Sequence, residues 1–96
     1  MGETTLSLVA AIILRAVHDG RCYGFEIMEA TGLPSGTIYP ALRRLAEAKL
    51  IRADREASKE AEPGGPPRKY FRMTAEGRRA LEAASSRYPV LDAQRR

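Results

Sequence analysis

The stretch Leu33-Pro34-Ser35-Gly36-Thr37-Ile38-Tyr39-Pro40-Ala41-Leu42-Arg43-Arg44-Leu45-Ala46-Glu47-Ala48-Lys49-Leu50-Ile51 decides the fold. At about 100° per residue, Ile38, Ala41, Leu42 and Leu45 share one arc, with Ala48 at its edge. The opposite arc carries Gly36, Tyr39, Pro40, Arg43, Arg44 and Glu47, so one helix buries an aliphatic stripe and presents a partly basic face. Pro34 ends the preceding element, and Ser35 is placed to cap the free N–H groups of the new helix. Pro40 lacks the N–H that would bond to the carbonyl of Gly36. It lies about one turn in, where a slight bend is tolerable. A helix start this small and hydroxyl-rich admits a partner closely, and the floor of a DNA groove is the best candidate.

Working outward, residues 4–18 form a strong first helix stopped by His18-Asp19-Gly20. Leu6, Val9, Ile13 and Val17 make one stripe and Leu8, Ala11 and Ile12 a second. A helix apolar over so much of its circumference needs cover on more than one side, and a second subunit can supply part of it. Residues 23–31 form a short second helix with Phe25, Ile27 and Met28 as core candidates and Gly32 as its stop. The turn through Gly32 has the length and glycine of a helix-turn-helix.

Beyond Lys49 the period changes. Leu50–Arg55 and Arg68–Met73 suit short strands, and the segment from Glu56 to Pro67 between them is an exposed hairpin tip rich in proline and glycine. Thr74 caps a last helix, in which Leu81, Ala84, Tyr88 and Leu91 continue a stripe that Pro89 should kink or interrupt. The order is helix, helix, helix, strand, strand, helix. This is a mainly α chain with a small β-hairpin (α+β), a winged helix-turn-helix. It is expected to be one domain over residues 1–96, with the wing at about 50–73 and the last helix at about 74–96.

The chain has 96 residues and a net charge of +4, and the distribution of that charge is informative. Residues 1–33 carry two Lys/Arg against four Asp/Glu, whereas residues 34–96 carry fourteen against eight. The basic excess begins at the helix quoted above, as expected of a half that meets a polyanion. The single Cys22 excludes an internal disulfide and fits a reducing cytoplasm. Leu8–Leu14 is too short an apolar run to span a bilayer, and no signal peptide is read at the start. At this length the core is modest, and dimerisation often adds stability.

Three segments in order resemble the PadR family of bacterial transcriptional regulators. Tyr23-Gly24-Phe25-Glu26-Ile27 resembles the family's second-helix signature, and Ser35 through Leu45 resembles its recognition helix. Gly64-Gly65-Pro66-Pro67-Arg68-Lys69-Tyr70-Phe71-Arg72-Met73-Thr74 resembles its wing and the following strand. The resemblance implies a dimeric repressor whose recognition helices enter successive major grooves of a pseudo-palindromic operator in double-stranded DNA. Carried over by position, Ser35, Thr37, Tyr39 and Arg43 face DNA, with Arg44 beside them. Arg68 and Lys69 hold the backbone from the wing, and Tyr70 assists. Larger family members continue into long C-terminal dimerisation helices. Here the homodimer interface is expected from the first and last helices, through Leu8, Ile12, Leu81, Tyr88 and Leu91, and any small-molecule effector is unidentified.

Other chemistry is poorly supported. His18 reads as a helix-end residue and Cys22 as a small, partly buried thiol with nothing nearby in sequence set to lower its pKa. One histidine and one cysteine show no zinc-ligand spacing, so no metal or cofactor is expected. No nucleophile–base motif or phosphate-binding glycine loop is visible, and Gly64-Gly65 is turn chemistry, which argues against an enzyme. The alternative is a winged helix used as a protein-interaction module, motivated by the apolar first helix and by Glu60 and Glu62 near the wing tip. Arg43 can pair with guanine or hold a phosphate, and sequence does not separate the two.

Overall fold

The computed structural model describes residues 6–54 and 69–93. The elements are α1 (Leu8–His18), α2 (Gly24–Thr31), α3 (Ser35–Glu47), β1 (Ile51–Ala53), β2 (Phe71–Met73), α4 (Ala75–Arg87) and α5 (Val90–Ala93). The expected order is present, with the last helix divided. Pro89 cannot donate to the helical ladder and forces the residue before it away from helical geometry. Tyr88 accordingly sits at φ −124°, ψ 81°, and the chain restarts as the short α5.

α1 is the hub, packing against α2, α3, α4, α5 and β2. Ser7 caps it by accepting from the Ala10 N–H at 3.1 Å, and Arg15 pairs with Asp19 at 3.2 Å across its last turn. Ala11, Ile13 and Leu14 are fully buried, and Ile27, Ile38, Leu42, Ile51 and Leu91 close around them. On α2 the inward residues are Gly24, Ile27, Met28 and Thr31, spaced three and four apart. Phe25 falls off that stripe and is 55% exposed, which corrects its assignment to the core. The following turn is stitched by Gly32 at φ +76° and by Thr31, whose hydroxyl donates to the Ile27 carbonyl at 2.7 Å and accepts from Leu33 N–H at 3.1 Å.

α3 begins one residue earlier in the capping scheme than expected. Pro34 is the N-cap, in extended geometry, and its carbonyl accepts from Thr37 and Ile38 at 2.9 and 3.1 Å. Ser35 is therefore the first helical residue, and no side chain caps the helix, which corrects the capping role expected of Ser35. At the other end Lys49 adopts φ +65°, and Leu50 N–H bonds back to Leu45 carbonyl at 3.0 Å. This is a Schellman turn with a side chain where glycine is usual. Replacing Lys49 by glycine is expected to stabilise the protein by about 0.5–1 kcal/mol, the left-handed cost outweighing the added freedom of the unfolded chain. Thermal denaturation checks this, since a melting temperature that falls would refute it.

The hairpin pairs Ile51 with Met73, Arg52 with Arg72 and Ala53 with Phe71, antiparallel. Its free edge is not bare. Phe71 N–H donates to the Cys22 carbonyl at 2.8 Å, and Tyr23 forms a bridge with Tyr70. This third pairing partner was not expected, because three residues between two helices are too few to show alternation. Thr74 caps α4 as expected, accepting from Gly77 N–H at 3.0 Å while its hydroxyl donates to the Lys49 carbonyl at 2.7 Å. Gly77 is buried against the Leu50 carbonyl, and a methyl there would also lie 2.9 Å from Met73 Cγ. The base of the hairpin is thus locked to the end of α3.

Candidate nucleic-acid interface

The exposed side of α3 carries Ser35, Gly36, Tyr39, Pro40, Arg43, Arg44 and Glu47, with Thr37 half-buried, while Ile38, Ala41, Leu42 and Leu45 are sealed in the core. Amphipathic spacing forces this division. The hairpin base stands beside α3. Lys69 is exposed there, and Tyr70 is half-buried with its ring centroid 5.0 Å from that of Tyr23. Arg68 and the expected wing tip lie outside the described residues.

Two grooves flank α3, and the helix distributes its polar residues between them. On the hairpin side, Tyr39, Arg43 and Glu47 share a groove of about 480 Å³ with Tyr23, Gly24, Lys69 and Phe71. On the α1 side, Thr37 and Arg44 line a second groove of about 650 Å³ together with Ser7 and a mainly apolar wall that includes Leu6, Val9 and Ala41. Arg43 and Arg44, adjacent in sequence, therefore belong to different surfaces.

Tyr39 is 52% exposed, so one face of its ring is free. Its other side lies on α2. A Cβ at position 24 would come within 2.6 Å of two ring carbons of Tyr39. Glycine at 24 permits that approach. Gly24 and Tyr23 are the residues that the position-by-position reading missed; the glycine placed immediately inside a helix start was the available signal.

On the outer face of the hairpin, Arg72 is ion-paired with Asp54, whose side chain is buried and whose N–H donates to Tyr70 carbonyl at 2.8 Å. The Asp54 carboxylate raises the pKa of Arg72 through the hydrogen bond and its charge. Arg72 thus braces the sheet. Burial pushes the Cys22 thiol pKa up, helped by the charges of Glu26 and Asp54 and opposed by Arg72. At pH 8 iodoacetamide is expected to alkylate Cys22 several-fold more slowly than a free cysteine, since less thiolate is present; an equal or faster rate would contradict this.

The residues assigned to a subunit interface separate. Leu8 and Val9 are each 38% exposed, and Ile12 is half-buried. Leu81 and Leu91, at 5% and 1% exposure, already serve the protomer's own core, which corrects their assignment to the dimer surface. The break at Pro89 folds Leu91 back onto the domain instead of extending a rod. Tyr88 is half-buried, and its hydroxyl donates to the Leu6 carbonyl at 3.1 Å, tying the end of α4 to the residue before the cap of α1.

A tight helix-turn-helix with a hairpin locked beside its second helix is a winged helix-turn-helix. The solved structures agree. A PadR family transcription regulator from hypervirulent Clostridium difficile R20291 is 27% identical, with 91% of this chain and 93% of that one covered and a TM-score of 0.70. A Streptococcus transcriptional regulator is 28% identical over 91% and 87% of the two chains, with a TM-score of 0.67. BpsR of Bordetella bronchiseptica, whose DNA binding is regulated by 6-hydroxynicotinic acid, shares the fold at 19% identity, TM-score 0.72, over 97% and 67% of the two chains. No curated protein matches. The model of the PadR-like family of transcriptional regulators matches residues 13–83, and the chain belongs to that family. It is a transcriptional regulator and not an enzyme. Among the described residues no helix is long and apolar enough to cross a membrane.

Proposed function

We propose that the protein is a sequence-specific DNA-binding repressor acting in the cytoplasm as a homodimer, with α3 in the major groove and the hairpin base on the backbone. The observation that carries this reading is the polar face of α3, namely the exposed Ser35, Tyr39, Arg43 and Arg44 with the half-buried Thr37, standing beside Lys69 and Tyr70 of the hairpin base. Backbone cations beside a groove-entering helix are how such folds combine positioning with readout. Arg68 is assigned to the same backbone contact from its sequence position. The test is selection from a pool of randomised duplexes. An enriched two-fold motif, with half-sites about one helical turn of DNA apart, is expected. Placed across a promoter, that motif should lower transcription when protein is added. No retention of DNA at low salt would overturn the reading and favour a protein-interaction module built on the apolar face of α1.

Dimerisation is supported by Leu8 and Val9, apolar side chains left exposed on the first turn of α1. Leu8→Asp is expected to give a monomer by light scattering and to weaken operator binding at least tenfold, because one half-site alone supplies about half the contacts. An unchanged mass would refute it.

A further inference from the structure

The groove on the hairpin side of α3 sets two cations from different elements around one volume, Arg43 from the helix and Lys69 from the base of the hairpin. Two formal positive charges facing one space favour a formal anion over the neutral, partially charged edge of a base. Tyr39 leans across the same groove onto Gly24, which brings its hydroxyl to the first turn of α2, and Tyr23 lines the wall beside it. Glu47, one turn beyond Arg43, also lines the groove. Its carboxylate disfavours an anion beside the last turn of α3 and directs one toward Tyr39, Arg43 and Lys69. At about 480 Å³ the groove has room for a phosphodiester with its flanking sugars.

We propose that this groove is the seat of one phosphodiester of the DNA backbone, clamped between Arg43 and Lys69, with Tyr39 held in place by Gly24 as the hydroxyl donor. The inference rests on the DNA-binding reading above and deepens it. Arg43 is a backbone clamp and not a base reader, Gly24 is a positioning residue, and direct readout falls to the start of α3 and to the Arg44 side.

The test uses the duplex motif recovered by selection, remade with single neutral methylphosphonate linkages at successive positions. Arg43→Ala should weaken binding to the unmodified duplex roughly tenfold, the scale of one charge-assisted contact. At one linkage per half-site the neutral substitution should weaken the wild type similarly, and there the further cost of Arg43→Ala should fall below about twofold. Repeating the selection with Arg43→Ala should return the same motif. Gly24→Ala should cost several-fold in the wild-type background and little once Tyr39 is alanine, an outcome that a merely structural glycine would not give. Arg43 is exposed, so its replacement should leave thermal denaturation unchanged. If Arg43→Ala relaxes the preference at one base pair, or its cost persists at every neutral linkage, the clamp is refuted while DNA binding stands. If the wild type retains no duplex, the DNA-binding reading itself has failed.

Discussion

Raising monovalent salt from about 50 to about 200 mM is expected to weaken binding to the selected duplex about a hundredfold. Arg43 and Lys69 stand on one groove of each subunit, and Arg68 precedes Lys69 in sequence. With one phosphodiester clamped in each groove and a second met by each Arg68, a dimer neutralises about four phosphates and releases their condensed cations, which gives a log–log slope of about −3.5. The charge asymmetry of the chain agrees in sign, since its basic excess lies in residues 34–96. Fluorescence anisotropy across a salt series measures the slope directly. Lys69→Ala should make it shallower by at most about 2, since Arg43 still faces the same phosphate in each subunit, and should weaken all duplexes alike. A slope near zero would remove the backbone contacts from the mechanism.

The second large effect is on folding. Leu14→Ala should lower stability by about 3 kcal/mol, more than a hundredfold in the folding equilibrium. Leu14 has no exposed surface, and α1 is the element on which α2, α3, α4, α5 and β2 converge. Neighbours held by four helices and a strand cannot collapse into the vacated volume, so the cavity persists and its cost adds to the lost transfer energy. Val9→Ala, five residues earlier at 38% exposure, should cost under about 1 kcal/mol. Urea unfolding of the two variants separates these values. A loss below about 1 kcal/mol at Leu14 would mean that α1 is not the hub.

The amphipathic spacing of α3 was readable because burial follows the helical period whatever lies behind the stripe. Ile38, Ala41, Leu42 and Leu45 are buried as that period requires, and Arg43 and Arg44 are exposed. Thr74 was readable for a similarly local reason, since a cap depends on the residues immediately after it. Failures began where packing against another element decides which side of a helix faces inward. Phe25 looks like core until Gly24, Ile27, Met28 and Thr31 are seen to take the inward positions. Leu81 and Leu91 suit a subunit interface until α4 and α5 are seen packed on α1.

The sequence by itself determined the order of elements, the stripe and polar face of α3, the stop at Gly32, the break at Pro89 and membership of the family, because each depends on local period, local turn chemistry or a short motif. Only the tertiary structure decided that Gly24 seats Tyr39, that Cys22 and Tyr23 line the free edge of the hairpin, that Asp54 holds Arg72, and that Arg43 and Arg44 open into separate grooves. Those relations join residues 15 or more positions apart, or divide neighbours between two faces, and packing against a third element settles them where periodicity carries no information.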